Sequence, residues 1–185
     1  MTKVFISGSI TIKKIDLAAQ ERINRIVESG FLIILGDASG ADRAVQNYIE
    51  HVNYRNVVVY CSGKKARNNC GSWDIHCIST SHRAGSREFY QAKDREMAND
   101  CDYGFMIWDG SSTGTLSNVI ELTKRGKYSL VYANNTNEFI KIKCVEDVEK
   151  LKSLMSQSGI DKANKKIKFE DSLTQLRNSQ SSLFG

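Results

Sequence analysis

Short apolar runs alternate with amphipathic segments along most of this chain. Five runs have the length and the β-branched or aromatic character of buried strands, and they cover residues 4–6, 31–35, 56–60, 103–108 and 128–132. The segments between them carry apolar residues at helical spacing, most clearly at residues 17–27, 44–52, 88–98, 116–122 and 145–155. Strands that alternate with helices in this way predict an α/β fold built around a parallel sheet.

More specifically, the pattern predicts a Rossmann-like, doubly wound, mostly parallel sheet of about five strands with helices on both faces. Residues 139–144 are a weaker candidate for one further edge strand. Beyond Gly159 the composition shifts to Lys, Asn, Ser and Gln. We therefore expect one domain at residues 1–158 and a C-terminal extension at 159–185, with a short helix and a disordered tail from Asn178.

The segment 61–86 breaks the pattern, since no period fits it. Such an insertion is often a lid or binding loop, although a plain surface excursion stays an alternative. The candidate lid residues are Arg67, Trp73, Arg83 and Arg87, with Trp73 or Tyr90 stacking on a base. The cysteines and histidines of the segment lack the spacing of a zinc site, so no metal is predicted.

The fourth strand ends abruptly in a polar loop that leads directly into a helix, Asp109-Gly-Ser-Ser-Thr-Gly-Thr115. Doubly wound proteins bind ligands at such junctions, where glycines admit close approach and free helix N–H groups attract anions. The candidate binding residues here are Asp109, Gly110, Ser111, Ser112, Gly114, Thr115 and Asn118. We expect a phosphate at this loop; the alternative is that Thr115 only caps the helix and the glycines only turn the chain.

Two earlier junctions, one after each of the first two strands, have the same layout. They add the candidate binding residues Ser7, Gly8, Ser9, Gly36, Asp37, Gly40 and Asp42. Asp42 opens a helix, where it can stabilise the N-terminus or accept hydrogen bonds from ribose hydroxyls or a base. Tyr90 and Asp94 lie four residues apart on one helical face, and they would meet the ligand together if that face looks toward the strand ends.

The composition is that of a globular protein. The chain has 185 residues with 41% hydrophobic and 25% charged content, so a single core is expected. No apolar run reaches the ~20 residues of a membrane span and no signal-peptide layout is visible, so we expect a cytoplasmic protein without membrane association.

Five irregularly spaced cysteines fit free thiols in a reducing compartment. A net charge of +5 without a concentrated basic face does not favour a nucleic-acid partner.

Taken together, the three junctions resemble the SLOG superfamily of Rossmann-like domains, which contains the Lonely Guy phosphoribohydrolases and DNA-processing protein A. The matching stretches are Phe5-Ile-Ser-Gly-Ser9, Gly36-Asp-Ala-Ser-Gly-Ala-Asp-Arg-Ala44 and Trp108-Asp-Gly-Ser-Ser-Thr-Gly-Thr115, and they are most similar to small stand-alone YspA-like members. The resemblance implies a SLOG-like domain that binds a nucleotide or nucleotide derivative across these loops, with no further cofactor. It also implies a homodimer that pairs through helices beside them.

The chain also resembles nucleoside 2-deoxyribosyltransferases in Phe89-Tyr90-x3-Asp94 followed by Asp102, Asp109-Gly110 and Gly114-Thr115. Those transferases and the Lonely Guy enzymes carry a glutamate three residues after the Gly-Thr threonine, but that position is Asn118 here. An amide serves neither as a carboxylate nucleophile nor as a general base at neutral pH. Glycosidic chemistry would then depend on Asp94 or Glu88 as acid–base and on Asp109 to orient the ribose.

The sequence leaves three functions open. The leading hypothesis is a nucleotide-binding or nucleotide-sensing protein, with the phosphate on residues 110–115 and Asp37 or Asp42 reading the ribose. The second is an enzyme that hydrolyses or transfers the N-glycosidic bond of a nucleoside or nucleotide. The third is a single-stranded DNA binder, by fold analogy with DNA-processing protein A.

Overall fold

Apolar runs form the central strands and amphipathic segments form most helices of this protein, as the hydrophobic pattern predicts. The computed structural model describes residues 1–181, and side chains through residue 179. The strands are β1 (Lys3–Gly8), β2 (Leu32–Gly36), β3 (Val57–Ser62), β4 (Asp74–Ile78), β5 (Tyr103–Trp108), β6 (Ser129–Ala133) and β7 (Glu138–Ile142). The helices are α1 (Leu17–Glu28), α2 (Ala41–His51), α3 (Arg87–Asp100), α4 (Thr113–Lys124), α5 (Val145–Ser153), α6 (Gln157–Ile167) and α7 (Phe169–Ser181).

These strands join one sheet in the order β4-β3-β2-β1-β5-β6-β7. Every neighbouring pair is parallel except β6 and β7, which are antiparallel. The chain winds outward from β1 in one direction and from β5 in the other, so the topological switch point lies between these two strands. The predicted α/β fold with a doubly wound, mostly parallel sheet is confirmed, with seven strands in the described residues rather than about five.

Successive strand residues point to opposite faces of the sheet and bury two hydrophobic layers. Phe5 and Met106 pack in the layer that holds α3 to α7. Their neighbours Ile6 and Ile107 pack in the layer that holds α1 and α2. Because both faces are covered, the central strands are apolar almost without interruption, and this is why the sequence pattern located them.

Strand β4 lies inside the segment 61–86, for which no regular structure was expected. It pairs with β3 at the edge of the sheet, and its residues Asp74 to Cys77 are exposed. The expectation of a structureless stretch is therefore wrong at β4. An edge strand can be held by backbone hydrogen bonds to one neighbour without an apolar run, so hydrophobic periodicity does not reveal it.

The C-terminal segment is an integral part of one hydrophobic layer. Helices α6 and α7 contribute Ala163, Phe169, Leu173 and Leu176, all buried in the layer that holds α4. The expected single short helix is therefore replaced by two packed helices. The expected tail from Asn178 is helical through Ser181, and residues 182–185 lie outside the described part of the chain.

Within residues 1–181, no helix combines the length and the apolar content that crossing a membrane requires. All five cysteines fall in this range and each is a free thiol, as expected.

Candidate functional site

A cleft of about 380 Å³ opens at the switch point, beside the carboxyl ends of β1 and β5. The residues that the sequence predicted and that line this cleft are Gly8, Arg87, Tyr90, Asp94, Asp109, Ser111, Ser112, Gly114 and Thr115. The structure adds Ile10, Thr11, Gln91, Thr113, Lys162 and Lys166. The loops after β1 and β5, the start of α4, and helices α3 and α6 thus meet around one space. The switch point is where doubly wound proteins place their ligands.

Asp109 holds the loop between β5 and α4 in shape. Its carboxylate accepts hydrogen bonds from the N–H groups of Ser111 at 2.9 Å and Ser112 at 2.6 Å, and from the Thr11 hydroxyl at 2.6 Å. Burial alone would raise the pKa of Asp109, but these hydrogen bonds outweigh it and lower the pKa. The fully buried Ser9 hydroxyl accepts the Asp109 N–H at 3.0 Å. Asp109 and Ser9 therefore fasten two loops together.

Helix α4 begins at the cleft with unused backbone donors. The geometry of a helix leaves the N–H groups of its first turn without acceptors. In the described part of the chain, those of Thr113, Gly114 and Thr115 donate to no protein group. Apart from its chain neighbours and the backbone of its own helix, a Cβ added at Gly114 would have no atom of the described residues within 4 Å. The start of α4 is therefore open to an anion, which the helix dipole would stabilise.

The other predicted glycines near the cleft make room for protein atoms. A Cβ added at Gly8 would lie 2.4 Å from a backbone oxygen, and one at Gly40 would lie 2.3 Å from another. At Gly110 the added atom would lie 2.6 Å from the Asn135 amide nitrogen. Gly40 and Gly110 also adopt positive φ angles of 85° and 78°, which side chains disfavour. These three glycines shape the loops, and among the predicted glycines Gly114 is the one with open space beside it.

A buried polar network lies next to the cleft. The Lys93 Nζ lies 2.7 Å from Asp94 Oδ1 and 3.9 Å from Asp42 Oδ2, and the Lys93 side chain is only 4% exposed. The Ser7 hydroxyl donates to Asp42 at 3.4 Å and accepts a hydrogen bond from the Asn118 amide at 3.3 Å. Ser7 and Asp42 are thus buried partners of other protein groups. Asp94, with its side chain 21% exposed, connects the network to the cleft.

The network is built around the Lys93 ammonium. Burial raises the pKa of the Asp42 carboxyl to about 6, although Lys93 opposes the shift. Burial alone would lower the pKa of Lys93, but the carboxylates of Asp94 and Asp42 outweigh it and raise the pKa. Gly36 leaves the space for this contact, because an added Cβ would lie 2.4 Å from both Asp42 Oδ2 and Lys93 Nζ. Sequence reasoning missed Lys93, since a lysine in a polar helix gives no sign of burial.

Arg67 forms an ion pair with Asp37, which follows the carboxyl end of β2. Its Nη2 lies 2.7 Å from Asp37 Oδ1, and its Nε lies 3.0 Å from Asp37 Oδ2. Burial alone would raise the pKa of Asp37, but the hydrogen bonds from Arg67 outweigh it and hold the pKa below its usual value. The same guanidinium lies over the Tyr90 ring, 4.3 Å from its centroid. Asp37 is therefore already paired inside the protein, and Arg67 supports an aromatic ring that lines the cleft.

The other predicted lid and acid–base residues lie in different places. Trp73 is a core residue with 6% exposure, and its indole N–H donates to the Tyr54 carbonyl at 3.0 Å, so it is not placed to stack on a base. Arg83 is exposed and does not line the cleft. Glu88 lines a neighbouring hollow of about 250 Å³ that Arg87 also borders.

Helix α6 brings two cations to the cleft that sequence reasoning missed. Lys162 and Lys166 are exposed and line it together with Arg87 from α3. The Arg87 guanidinium donates to the Lys166 carbonyl oxygen and so ties α3 to α6. The spacing of four residues, which puts Lys162 and Lys166 on one helical face, was the available signal. Only the packing of α6 shows that this face borders the cleft.

No group of three or more His, Cys, Asp or Glu side chains within residues 1–181 is arranged to hold a metal ion. Comparison of the chain with protein-family models, with curated proteins and with solved structures finds no match. Its function is therefore inferred from the geometry and chemistry of the cleft.

Proposed function

We propose that this protein binds a nucleotide or nucleotide derivative, with the phosphate at the start of α4. The observation that carries the proposal is the meeting of unused N–H groups on α4 with the cations of Arg87, Lys162 and Lys166 around one cleft. Backbone N–H groups at a helix start bind phosphate without changing protonation, and nearby cations add attraction. The volume of about 380 Å³ is in the range of small-molecule sites.

The remaining cleft residues provide for the rest of a nucleotide. Tyr90 presents an aromatic ring for a base, and the contact with Arg67 fixes that ring in place. Asp94 offers a carboxylate for ribose hydroxyls, and its contact with Lys93 fixes the carboxylate position. Asp37 and Asp42, the ribose ligands expected from the sequence, are buried and do not line the cleft, whereas Asp94 lines it with a partly exposed side chain, so we assign the ribose contact to Asp94.

Binding is favoured over glycosidic cleavage because the cleft offers few free carboxylates. Glycoside hydrolysis commonly uses two carboxyl groups that flank the bond. Asp94 and Asp109 both line the cleft, but the Asp109 carboxylate already accepts hydrogen bonds from Ser111 and Ser112 of its own loop and from Thr11 of a neighbouring loop. Glu88 borders another hollow, and the position three residues after the Gly-Thr threonine holds the amide of Asn118.

The test is isothermal titration of the full chain with nucleoside 5′-monophosphates, ADP-ribose and inorganic phosphate, followed by the variants Gly114→Glu and Gly114→Ala. A glutamate here would place a carboxylate in the anion site, while its charge near the helix start would not destabilise the fold. We expect Gly114→Glu to weaken nucleotide binding at least tenfold, about 1.4 kcal/mol, without lowering the melting temperature. Gly114→Ala is the matched control and should bind as the wild type does.

Absence of nucleotide binding, or binding that survives Gly114→Glu, would overturn the proposal. The titrated mixture is also analysed by chromatography for free base. Release of free base would show N-glycosidic cleavage and would replace the proposal of binding alone. Binding of single-stranded DNA with a steep salt dependence and no response to Gly114→Glu would favour the third function. Size-exclusion chromatography with light scattering gives the molar mass in solution and so tests the expected homodimer.

A further inference from the structure

Two cysteines face each other between the edge strand β4 and its neighbour β3, away from the contacts proposed for the nucleotide. Cys61 in β3 and Cys77 in β4 are register partners, and their Sγ atoms lie 3.6 Å apart. Cys61 is buried, whereas Cys77 is exposed on the outermost strand. We propose that this pair is a redox modification site, at which hydrogen peroxide or a low-molecular-weight disulfide converts the two thiols into a reversible Cys61–Cys77 disulfide.

The backbone geometry admits this bond. Adjacent strands lie about 4.7–4.9 Å apart, and disulfides join residues whose Cα atoms are separated by about 4.4–6.8 Å. The two sulfur atoms need to approach from 3.6 Å to about 2.05 Å. Strand β4 has a strand neighbour on one side only and most of its residues are exposed, so it is the partner that can shift.

The environments of the two thiols assign their order of reaction. Burial, followed by the hydrogen bond to Cys77, raises the pKa of the Cys61 thiol to about 12. Cys61 therefore stays protonated at neutral pH, and its S–H donates toward the Cys77 sulfur. Because the thiolate is the nucleophile and access is required, Cys77 attacks the oxidant first and Cys61 resolves the product.

The chemistry balances with the named oxidants. The Cys77 thiolate attacks one oxygen of hydrogen peroxide, the O–O bond breaks, and the departing hydroxide leaves as water after taking up a proton. The Cys61 sulfur then attacks the sulfenic acid, the S–O bond breaks, and a second water leaves with the Cys61 proton. Two thiols are oxidised by two electrons and one peroxide is reduced to two waters. With a low-molecular-weight disulfide, the leaving groups of the two steps are its two thiols.

The segment between the two cysteines gives the modification a structural consequence. The disulfide would close the chain between Cys61 and Cys77, and this segment carries Arg67, which pairs with Asp37 and lies over Tyr90. Oxidation would therefore fasten the edge strand and both ends of the Arg67 segment to β3. The site itself depends only on the two sulfur atoms and stands whether or not a nucleotide binds.

The test is peptide mapping of the full chain after treatment with hydrogen peroxide or glutathione disulfide. Trypsin cuts after Lys64, Lys65 and Arg67, so the peptides that hold Cys61 and Cys77 remain joined only through a disulfide. We expect a linked pair that has lost two hydrogens and separates again on reduction. Cys70→Ser is the matched control, since Cys70 shares the tryptic peptide of Cys77, and this variant should form the link as the wild type does.

The variant Cys77→Ser should lose the link, and Cys61→Ala should instead accumulate a glutathione adduct on Cys77. Persistence of the link in Cys77→Ser, or its loss in Cys70→Ser, would overturn the assignment. Treated wild-type protein that carries only adducts or higher oxides on Cys77 and no link to Cys61 would overturn it as well, and this result needs no variant.

Discussion

The buried ammonium of Lys93 makes a quantitative prediction about stability. The variant Lys93→Met keeps a long apolar side chain but removes the cation that lies 2.7 Å from Asp94 and 3.9 Å from Asp42. Removing one partner of a buried ion pair typically costs about 3–5 kcal/mol, because it leaves a buried charge without compensation. We expect Lys93→Met to lower the free energy of unfolding by about this amount near neutral pH. Lys64→Met, at an exposed position, is the matched control and should change it by less than about 0.5 kcal/mol.

The pH dependence follows from the raised pKa of Asp42, about 6 against an ordinary 3.8. The folded state holds this proton more tightly than the unfolded state, so the unfolding free energy falls as pH rises between these two values. Without Lys93 the pKa of Asp42 rises further, so the unfolding free energy goes on falling above pH 6. Each additional unit of pKa removes about 1.4 kcal/mol. The stability deficit of Lys93→Met should therefore be larger at about pH 7.5 than at about pH 5.

Urea denaturation followed by circular dichroism, at both pH values and for wild type, Lys93→Met and Lys64→Met, measures these differences. Two results would refute the reasoning. One is a loss for Lys93→Met no larger than that for Lys64→Met, which would mean that the ammonium is not buried against carboxylates. The other is a deficit that does not shrink on acidification, which would mean that Asp42 does not take up the proton.

Two further predictions test the packing that places the site. Gly36→Ala should lower the free energy of unfolding by about 1–3 kcal/mol, because the added Cβ would lie 2.4 Å from both Asp42 Oδ2 and Lys93 Nζ, and wild-type stability in urea would contradict this. Phe169→Ala should cost about 3–5 kcal/mol, because the ring is fully buried in the core shared with α4, and a loss below about 1 kcal/mol would show that the C-terminal helices are not part of that core.

The position of the loops at the carboxyl ends of the strands was predictable from the sequence. A strand covered on both faces must be apolar almost throughout, so runs such as that ending at Trp108 stand out from the amphipathic helices. Parallel strands that alternate with helices place every strand-to-helix loop at the carboxyl ends of the strands. The cleft beside Asp109 and Gly114 follows from that regularity, and the lining of the cleft includes both residues.

Only the tertiary structure decided which groups at the carboxyl ends of the strands face a ligand. A glycine or aspartate at a strand-to-helix junction looks the same in the sequence whether its neighbours are solvent or protein, and here Gly36 and Asp42 face Lys93 while Gly114 faces open space. Edge strand β4 was hidden because pairing at one side of a sheet demands no apolar pattern. Lysines of α6 line the cleft because α6 packs in the same core as α4, a contact between distant parts of the chain that no local pattern encodes.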